Sequence, residues 1–507
     1  MPLICPYCEF INRLTATYCG ACSRYLVTRF VCSNCGFTED SSQSFCNKCG
    51  LESRESMPKI ENHLGLGSPT PRDEVDGATL DVADVFRADR TWGELWSAGV
   101  IPGIPNAMTL GIGITVLMVA MWLRLYQIGY FPEGFNVAEI MYTQEGTGWA
   151  WGDLFVDQQA RVSWIFQTWM TLFSDTAVAP RVLSGLVGLV SLGLFFAWSC
   201  SIWGRRTAIL GTLVMAVSFW HVTYSRLALP VSLLLLIELL AIYAMHRGLR
   251  NGANQYWLVA AGLLTGAVVY LDAVGMIFVF AIFAVWGCEF LRGKIPFRVV
   301  TGTFTLFAAP VAVFIVMYLG GLAVSTDIRD RELSVSVTRS SEYASVDGVM
   351  DQLRFVVRNI GDNVSSVIWN RPGHRSANYT GRMLDPVTGL LVAGGICIAL
   401  INWSKPYHLF LVMVLGVSVV GVGLTTSEGA FSRLMITAPV IYVLAGLTLD
   451  RFVLWSQGRL KPYAVGAVIV FVLLVVTYLN ATTYLENPNG SSPDLWVGEL
   501  RIGDDVG

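Results

Sequence analysis

The sequence predicts an all-α polytopic membrane protein of about eleven transmembrane helices, headed by a small cysteine-rich unit. Three observations carry this prediction. Of 507 residues, 54% are hydrophobic and only 14% charged, with a mean hydropathy of +0.55; a soluble domain carries about 25% charge. Apolar runs recur from residue 107 onward, each long enough to cross roughly 30 Å of hydrocarbon. Eight of the 11 cysteines lie in the first 49 residues. A secreted disulfide scaffold, a disordered chain and a simple soluble enzyme are thereby excluded. With 34 Lys+Arg against 37 Asp+Glu, the net charge is −3 and no basic block stands out, so a nucleic-acid partner is not expected.

The amino-terminal cysteines form a repeat. Cys5-Pro-Tyr-Cys8 is followed after ten residues by Cys19-Gly-Ala-Cys22, and Cys32-Ser-Asn-Cys35 after ten by Cys46-Asn-Lys-Cys49, giving a period of 27 residues. A Cys-x2-Cys turn points two thiolates at one ion, and two such turns complete a closed tetrahedral zinc site. Two structural zinc ions are therefore expected within residues 1–50. Metal ligation would replace the core that so short a unit cannot build. Four disulfides or redox-active pairs are the competing reading; the regular spacing favours zinc. The segment resembles the double zinc ribbon family, which implies a spacer or a protein partner of unstated identity. Reduced thiolates place this end in the cytoplasm.

Residues 51–105 read as linker, polar and rich in Gly, Pro, Asp and Glu. The transmembrane domain follows over 106–484. Its expected crossings are 107–126, 180–203, 207–224, 228–246, 256–272, 274–291, 298–322, 386–402, 408–424, 434–450 and 464–483. Short basic segments at 205–206, 246–250, 292–298, 405 and 451–461 then fall on one face. By the positive-inside tendency that face is cytoplasmic, in agreement with the thiolates. The protein would be integral to the cell membrane, with its amino terminus inside and the tail 485–507 outside.

Outer loops 127–179 and 323–385 are too long for turns. The first alternates aromatic and polar residues and reads as interfacial amphipathic helices; the second reads as a small outer subdomain. Sequons at Asn363, Asn378, Asn480 and Asn489 all fall on the outer side. Ionisable residues gather at the outer rim: Glu139, Asp153, Asp157 and Arg161 in the first loop, Arg181 at the start of the second crossing, and Arg226 and Arg433 in later turns. Charges so near hydrocarbon are costly and are kept for function. Glu139 is placed to act as a general base toward an acceptor. Arginine grips phosphate through paired donors. Plain surface solvation of Glu139 and snorkelling of the arginines are the structural alternatives.

Four segments resemble motifs of the GT-C class of integral membrane glycosyltransferases, in the branch of protein O-mannosyltransferases and aminoarabinose transferases. They are Gly134-Phe-Asn-Val-Ala-Glu-Ile-Met-Tyr142, Ala179-Pro-Arg-Val-Leu-Ser-Gly-Leu-Val-Gly188, Trp220-His-Val-Thr-Tyr-Ser-Arg226, and Phe431-Ser-Arg-Leu-Met with Pro439 beyond. The resemblance implies a GT-C-like transmembrane fold. It implies transfer of a sugar from a polyprenyl-phosphate donor to an acceptor on the non-cytoplasmic face, with inversion. Carried over, Glu139 matches the second acid of the first-loop pair, helped by Asp153 or Asp157. Arg226 and Arg433 match phosphate-binding positions, with Arg181 and Arg161 beside them. The hexosyl or pentosyl type is open, as is a divalent metal at the active site.

The first acid of that pair is Ala138 here. An inactive relative that binds lipid-linked sugar or scaffolds a partner is therefore the second reading. A transporter is the third. Against it, no inverted hydropathy repeat is seen and no polar midplane residue interrupts the apolar runs.

Overall fold

The computed structural model describes residues 3–4, 11–12, 29–31, 38–40, 106–130, 134–144, 153–173, 178–250, 254–272, 275–291, 297–325, 343, 348–368, 375–376, 379–380, 383–425, 430–456, 459–486 and 496–497. The chain divides into two compact units, Met1–Ala78 and Thr79–Gly507.

In the first unit, β1 (Leu3–Ile4) pairs antiparallel with β2 (Ile11–Asn12), and β3 (Arg29–Val31) with β4 (Thr38–Asp40). The registers repeat. Leu3 faces Asn12 and Ile4 faces Ile11; 27 residues later Phe30 faces Glu39 and Val31 faces Thr38. The sequence repeat is thus a structural repeat, one hairpin per unit. All eight cysteines, and the linker 51–105, lie outside the described residues.

The second unit is helical. Its elements are α1 (Asn106–Leu125), α2 (Val137–Gln144), α3 (Asp153–Val156), α4 (Gln158–Phe173), α5 (Ala179–Trp203), α6 (Arg205–Val217), α7 (Phe219–Arg226), α8 (Pro230–Arg250), α9 (Gln255–Leu271), α10 (Gly275–Leu291), α11 (Phe297–Val324), α12 (Val349–Ile368), α13 (Pro386–Ile401), α14 (Pro406–Gly423), α15 (Ala430–Arg433), α16 (Ala438–Ser456) and α17 (Pro462–Glu486). Local chemistry sets several starts. Pro180, Pro386 and Pro406 stand in the first turns of α5, α13 and α14, where a missing N–H costs nothing. Asp385 caps α13 by accepting from Thr388 N at 2.9 Å, and Asn254 caps α9 by accepting from Tyr256 N at 3.1 Å.

Each expected apolar segment is helical, and the protein is a multi-pass membrane protein. By length and composition, six helices among the described residues can cross a membrane, or up to seven if the bent pair α6–α7 counts as one span. Four further apolar helical stretches among the described residues are shorter, in the range of 10–17 residues. The expected first outer loop contains α2, α3 and α4; Trp149 and Trp151 lie outside the described residues. The second contains α12 and the hairpin β6 (Arg375–Ser376)–β7 (Tyr379–Thr380).

The core is aliphatic and aromatic, built where α8, α9 and α11 pack together and where α16 packs on α6 and α13. Glycines allow the closest crossing. A Cβ on Gly446 would stand 2.5 Å from Thr207 O, and one on Gly211 2.7 Å from Tyr442 O. Small residues at these positions let the backbones of α6 and α16 approach, as membrane helix pairs require.

Contacts between connecting segments sort into two ends of the bundle. At one end Ala228 meets Glu139, Tyr270 meets Leu154, and Asn359 meets Gly423 and Thr425. At the other, Arg206 pairs with Asp450 and His246 with Tyr407. The strand β5 (Phe135–Asn136) pairs with β8 (Trp496–Val497), so the tail returns to the end that carries the first loop.

The third expected crossing is broken. α6 and α7 meet at 59° at Ser218, whose backbone is extended (φ −62°, ψ 126°). Backbone groups freed inside a membrane must find partners. Arg124 Nη1 donates to Ala216 O at 2.9 Å. Phe219 N donates to Asn480 Oδ1 at 2.7 Å. Tyr442 donates to Ser218 Oγ at 2.6 Å, and Asn480 Nδ2 to Asp385 Oδ2 at 2.8 Å. Asn480 is therefore 3% exposed within α17, which corrects its reading as an outer sequon: an oligosaccharide cannot be attached there. Asn363 lies on α12; Asn378 and Asn489 lie outside the described residues.

Candidate functional site

Glu139 sits in the first turn of α2, directly after β5. Its side chain is wholly buried and faces Arg181, equally buried, in the first turn of α5. The pair is a two-point fork: Arg181 Nε donates to Oε1 at 2.8 Å and Nη2 to Oε2 at 2.7 Å. Ala228 N, in the short link between α7 and α8, donates to Oε1 at 2.8 Å. Arg181 Nη2 also donates to Gly134 O at 2.7 Å, and its guanidinium lies 4.3 Å from the centre of the Phe135 ring. One carboxylate thus ties the first loop, the second crossing and the third turn. Charge-assisted, planar pairing of this kind is the strong form of the interaction. The neighbouring Ala138 is the second residue of α2.

Arg226, at the end of α7, is 3% exposed. It donates through Nη1 to Leu123 O at 2.8 Å and through Nη2 to Tyr126 O at 2.9 Å. A cation thereby satisfies carbonyls left open at the end of α1. Its guanidinium lies 5.8 Å from the ring centre of Tyr484. Tyr484, on α17, is within electrostatic range of Arg226, Arg181 and Glu139 together. Residues 139, 181, 226 and 484 thus gather at one end of the bundle. Tyr484 was not legible in the sequence, where it is one tyrosine in an apolar run.

The other expected residues lie around this group. Asp153 opens α3, and Asp157 caps α4 by accepting from Gln159 N at 2.8 Å. Arg161 stacks on Tyr270 with 3.8 Å to the ring centre and donates to Leu154 O at 3.3 Å. Arg433 donates to Thr425 Oγ1 at 2.9 Å and lines a cleft with Asp272 and Glu238. The sequence reading set Arg226 and Arg433 around Glu139; the guanidinium on the carboxylate is that of Arg181.

Nothing in the sequence motifs singles out Glu238. It lies eight residues into α8 and is 2% exposed. The expectation that no polar midplane residue interrupts the apolar runs is corrected: one carboxyl in a 21-residue helix leaves the average hydropathy high enough to hide it.

The described residues contain no cluster of three His, Cys, Asp or Glu able to hold a metal, and the oxygens of Glu139 are engaged by Arg181 and Ala228 N. A divalent metal on Glu139 does not fit this arrangement, and no step is routed through one.

A family model described as dolichyl-phosphate-mannose-protein mannosyltransferase matches residues 160–314. Comparison with curated proteins gave no match. Among solved structures, the apo oligosaccharyltransferase of Archaeoglobus fulgidus is 12% identical with a TM-score of 0.49, covering 75% of this chain and 56% of that one. ArnT from Cupriavidus metallidurans bound to undecaprenyl phosphate is 13% identical with a TM-score of 0.42, covering 75% of this chain and 71% of that one. The chain spans about half the length of the archaeal enzyme.

Proposed function

We propose that the protein is a membrane glycosyltransferase that moves a sugar from a polyprenyl-phosphate donor to an acceptor on the non-cytoplasmic face. The observation that carries this reading is the buried Glu139–Arg181 fork locked to the Ala228 peptide. It joins two of the four segments whose motifs suggested the family and reaches Ala228, two residues beyond the third; the mannosyltransferase model, over residues 160–314, covers the second and third segments.

In the transfer, the acceptor oxygen attacks the anomeric carbon and the bond from that carbon to the phosphate oxygen breaks. Negative charge develops on the departing polyprenyl phosphate, and fixed cations stabilise it. Arg433 and Arg226 are assigned to that phosphate. Glu139, with both oxygens held, is a positioning residue that fixes Arg181 and the α7–α8 link. Asp153 and Asp157 are the candidates to take the acceptor proton. Purified protein incubated with labelled polyprenyl-phosphate hexose and a mixed acceptor extract is expected to transfer label. Failure to transfer with any sugar donor would overturn the assignment.

Eleven crossings with an inner amino terminus are part of the same proposal. The sorting of contacts into two ends and the β5–β8 pairing support an odd number of crossings. The amino-terminal unit is proposed to bind two zinc ions through Cys5, Cys8, Cys19 and Cys22, and Cys32, Cys35, Cys46 and Cys49. The repeat-matched hairpins support it, since each spans the first Cys-x2-Cys turn of its unit. Closed four-thiolate sites supply folding energy and no chemistry, and a protein partner docks on this unit. Elemental analysis is expected to give about two zinc per chain; a value below one would contradict it.

A further inference from the structure

At the end of the bundle that carries Glu139, a partly open cleft with about 40 Å³ of water-accessible space enters between α8, α9 and α15. Asp272, Ser432 and Arg433 stand among its polar lining residues, and Leu234, Leu235 and Met435 among its apolar ones. Val231, in the first turn of α8, and Glu238 both line it; seven residues of helix carry the cleft about 10 Å into the bundle. α8 begins two residues after Ala228, whose N–H holds Glu139.

Glu238 lines this cleft while 2% exposed, and its Oε1 has no hydrogen-bond partner. A buried acceptor without a donor is costly, and a carboxyl inside a membrane helix is retained for function. A polyprenyl tail would fit the aliphatic walls but brings no donor. A bare phosphate suits Arg433 but brings no row of hydroxyl donors to Glu238 farther along α8. The matching ligand is anionic at the rim and rich in hydroxyl donors inward.

We infer that this cleft holds the sugar ring of a lipid-linked glycosyl phosphate, with the phosphate at Arg433 and Glu238 accepting hydrogen bonds from the sugar hydroxyls. The assignment rests on the donor class proposed above and names the sugar subsite within it. A pocket built around hydrogen bonds from hydroxyls to a buried carboxyl discriminates against a ligand lacking them.

The test compares binding of polyprenyl phosphate and polyprenyl-phosphate hexose to the full-length protein in nanodiscs. The wild type is expected to bind the glycosylated probe about tenfold more tightly than the bare one. Glu238→Leu, which matches the apolar face around it, is expected to remove that difference and leave affinity for the bare probe within about twofold. Glu238→Gln keeps an acceptor oxygen and is expected to retain part of the preference. Unfolding temperature reports whether each variant is folded. Equal wild-type affinity for the two probes, or a preference unchanged in Glu238→Leu, overturns the sugar subsite and leaves the donor class standing. No binding of either probe to the wild type overturns both.

Discussion

Arg181→Ala is expected to lower stability by about 3–5 kcal/mol, because it leaves a buried carboxylate without its cation. Both side chains are wholly buried, so water cannot replace the lost donors. The loss is not confined to one pair. Arg181 also donates to Gly134 O at 2.7 Å, and Glu139 also receives Ala228 N at 2.8 Å, so the first loop and the α7–α8 link loosen together. Arg181→Lys recovers the charge but not the fork, and should fall between the two. Unfolding temperatures in one detergent check the order wild type, Lys, Ala. If Arg181→Ala unfolds with the wild type, the pair is not the clamp described here.

Asn480→Leu is expected to have the second largest effect, about 2–4 kcal/mol, as two buried groups lose a partner at once. Phe219 N–H loses its acceptor at the α6–α7 break, and Asp385 Oδ2 loses one donor. Asp385 keeps Thr388 N at 2.9 Å and Thr388 Oγ1 at 2.6 Å, so the damage centres on the break. Since α7 ends at Arg226, a shift there moves the cation assigned to phosphate. Donor affinity should therefore fall along with the unfolding temperature. A change of stability below about 0.5 kcal/mol would show that the break does not depend on this amide.

The helical body was legible in the sequence because a membrane span announces itself by the length of an apolar run. All eleven expected runs are helical; among the described residues six of them, or seven with the pair interrupted at Ser218, are long and apolar enough to cross a membrane. The interruption itself was not legible: neither Pro nor Gly marks it, and it is held by Arg124, Tyr442 and Asn480 from other parts of the chain. Glu139 and Arg226 stood out as charges in short motifs. Arg181 stood out as well, but its pairing with Glu139 did not, because 42 residues separate the two, and nothing marks Tyr484, which comes from α17. Hydropathy averaging concealed Glu238, since a single carboxyl barely moves the mean of the leucines around it. Pairings of this kind belong to the tertiary fold, and no periodicity along the chain encodes them.

The proposed function requires that a first-loop acid and a second-crossing arginine act as one unit at a site of sugar transfer. A double-mutant cycle on the transfer reaction tests it most directly, using Glu139→Gln, Arg181→Gln and the double variant, each confirmed to fold. Residues acting as a unit are non-additive, so either single change is expected to reduce transfer about as far as both together. Fully additive losses, or folded single variants that transfer at the wild-type rate, would contradict it.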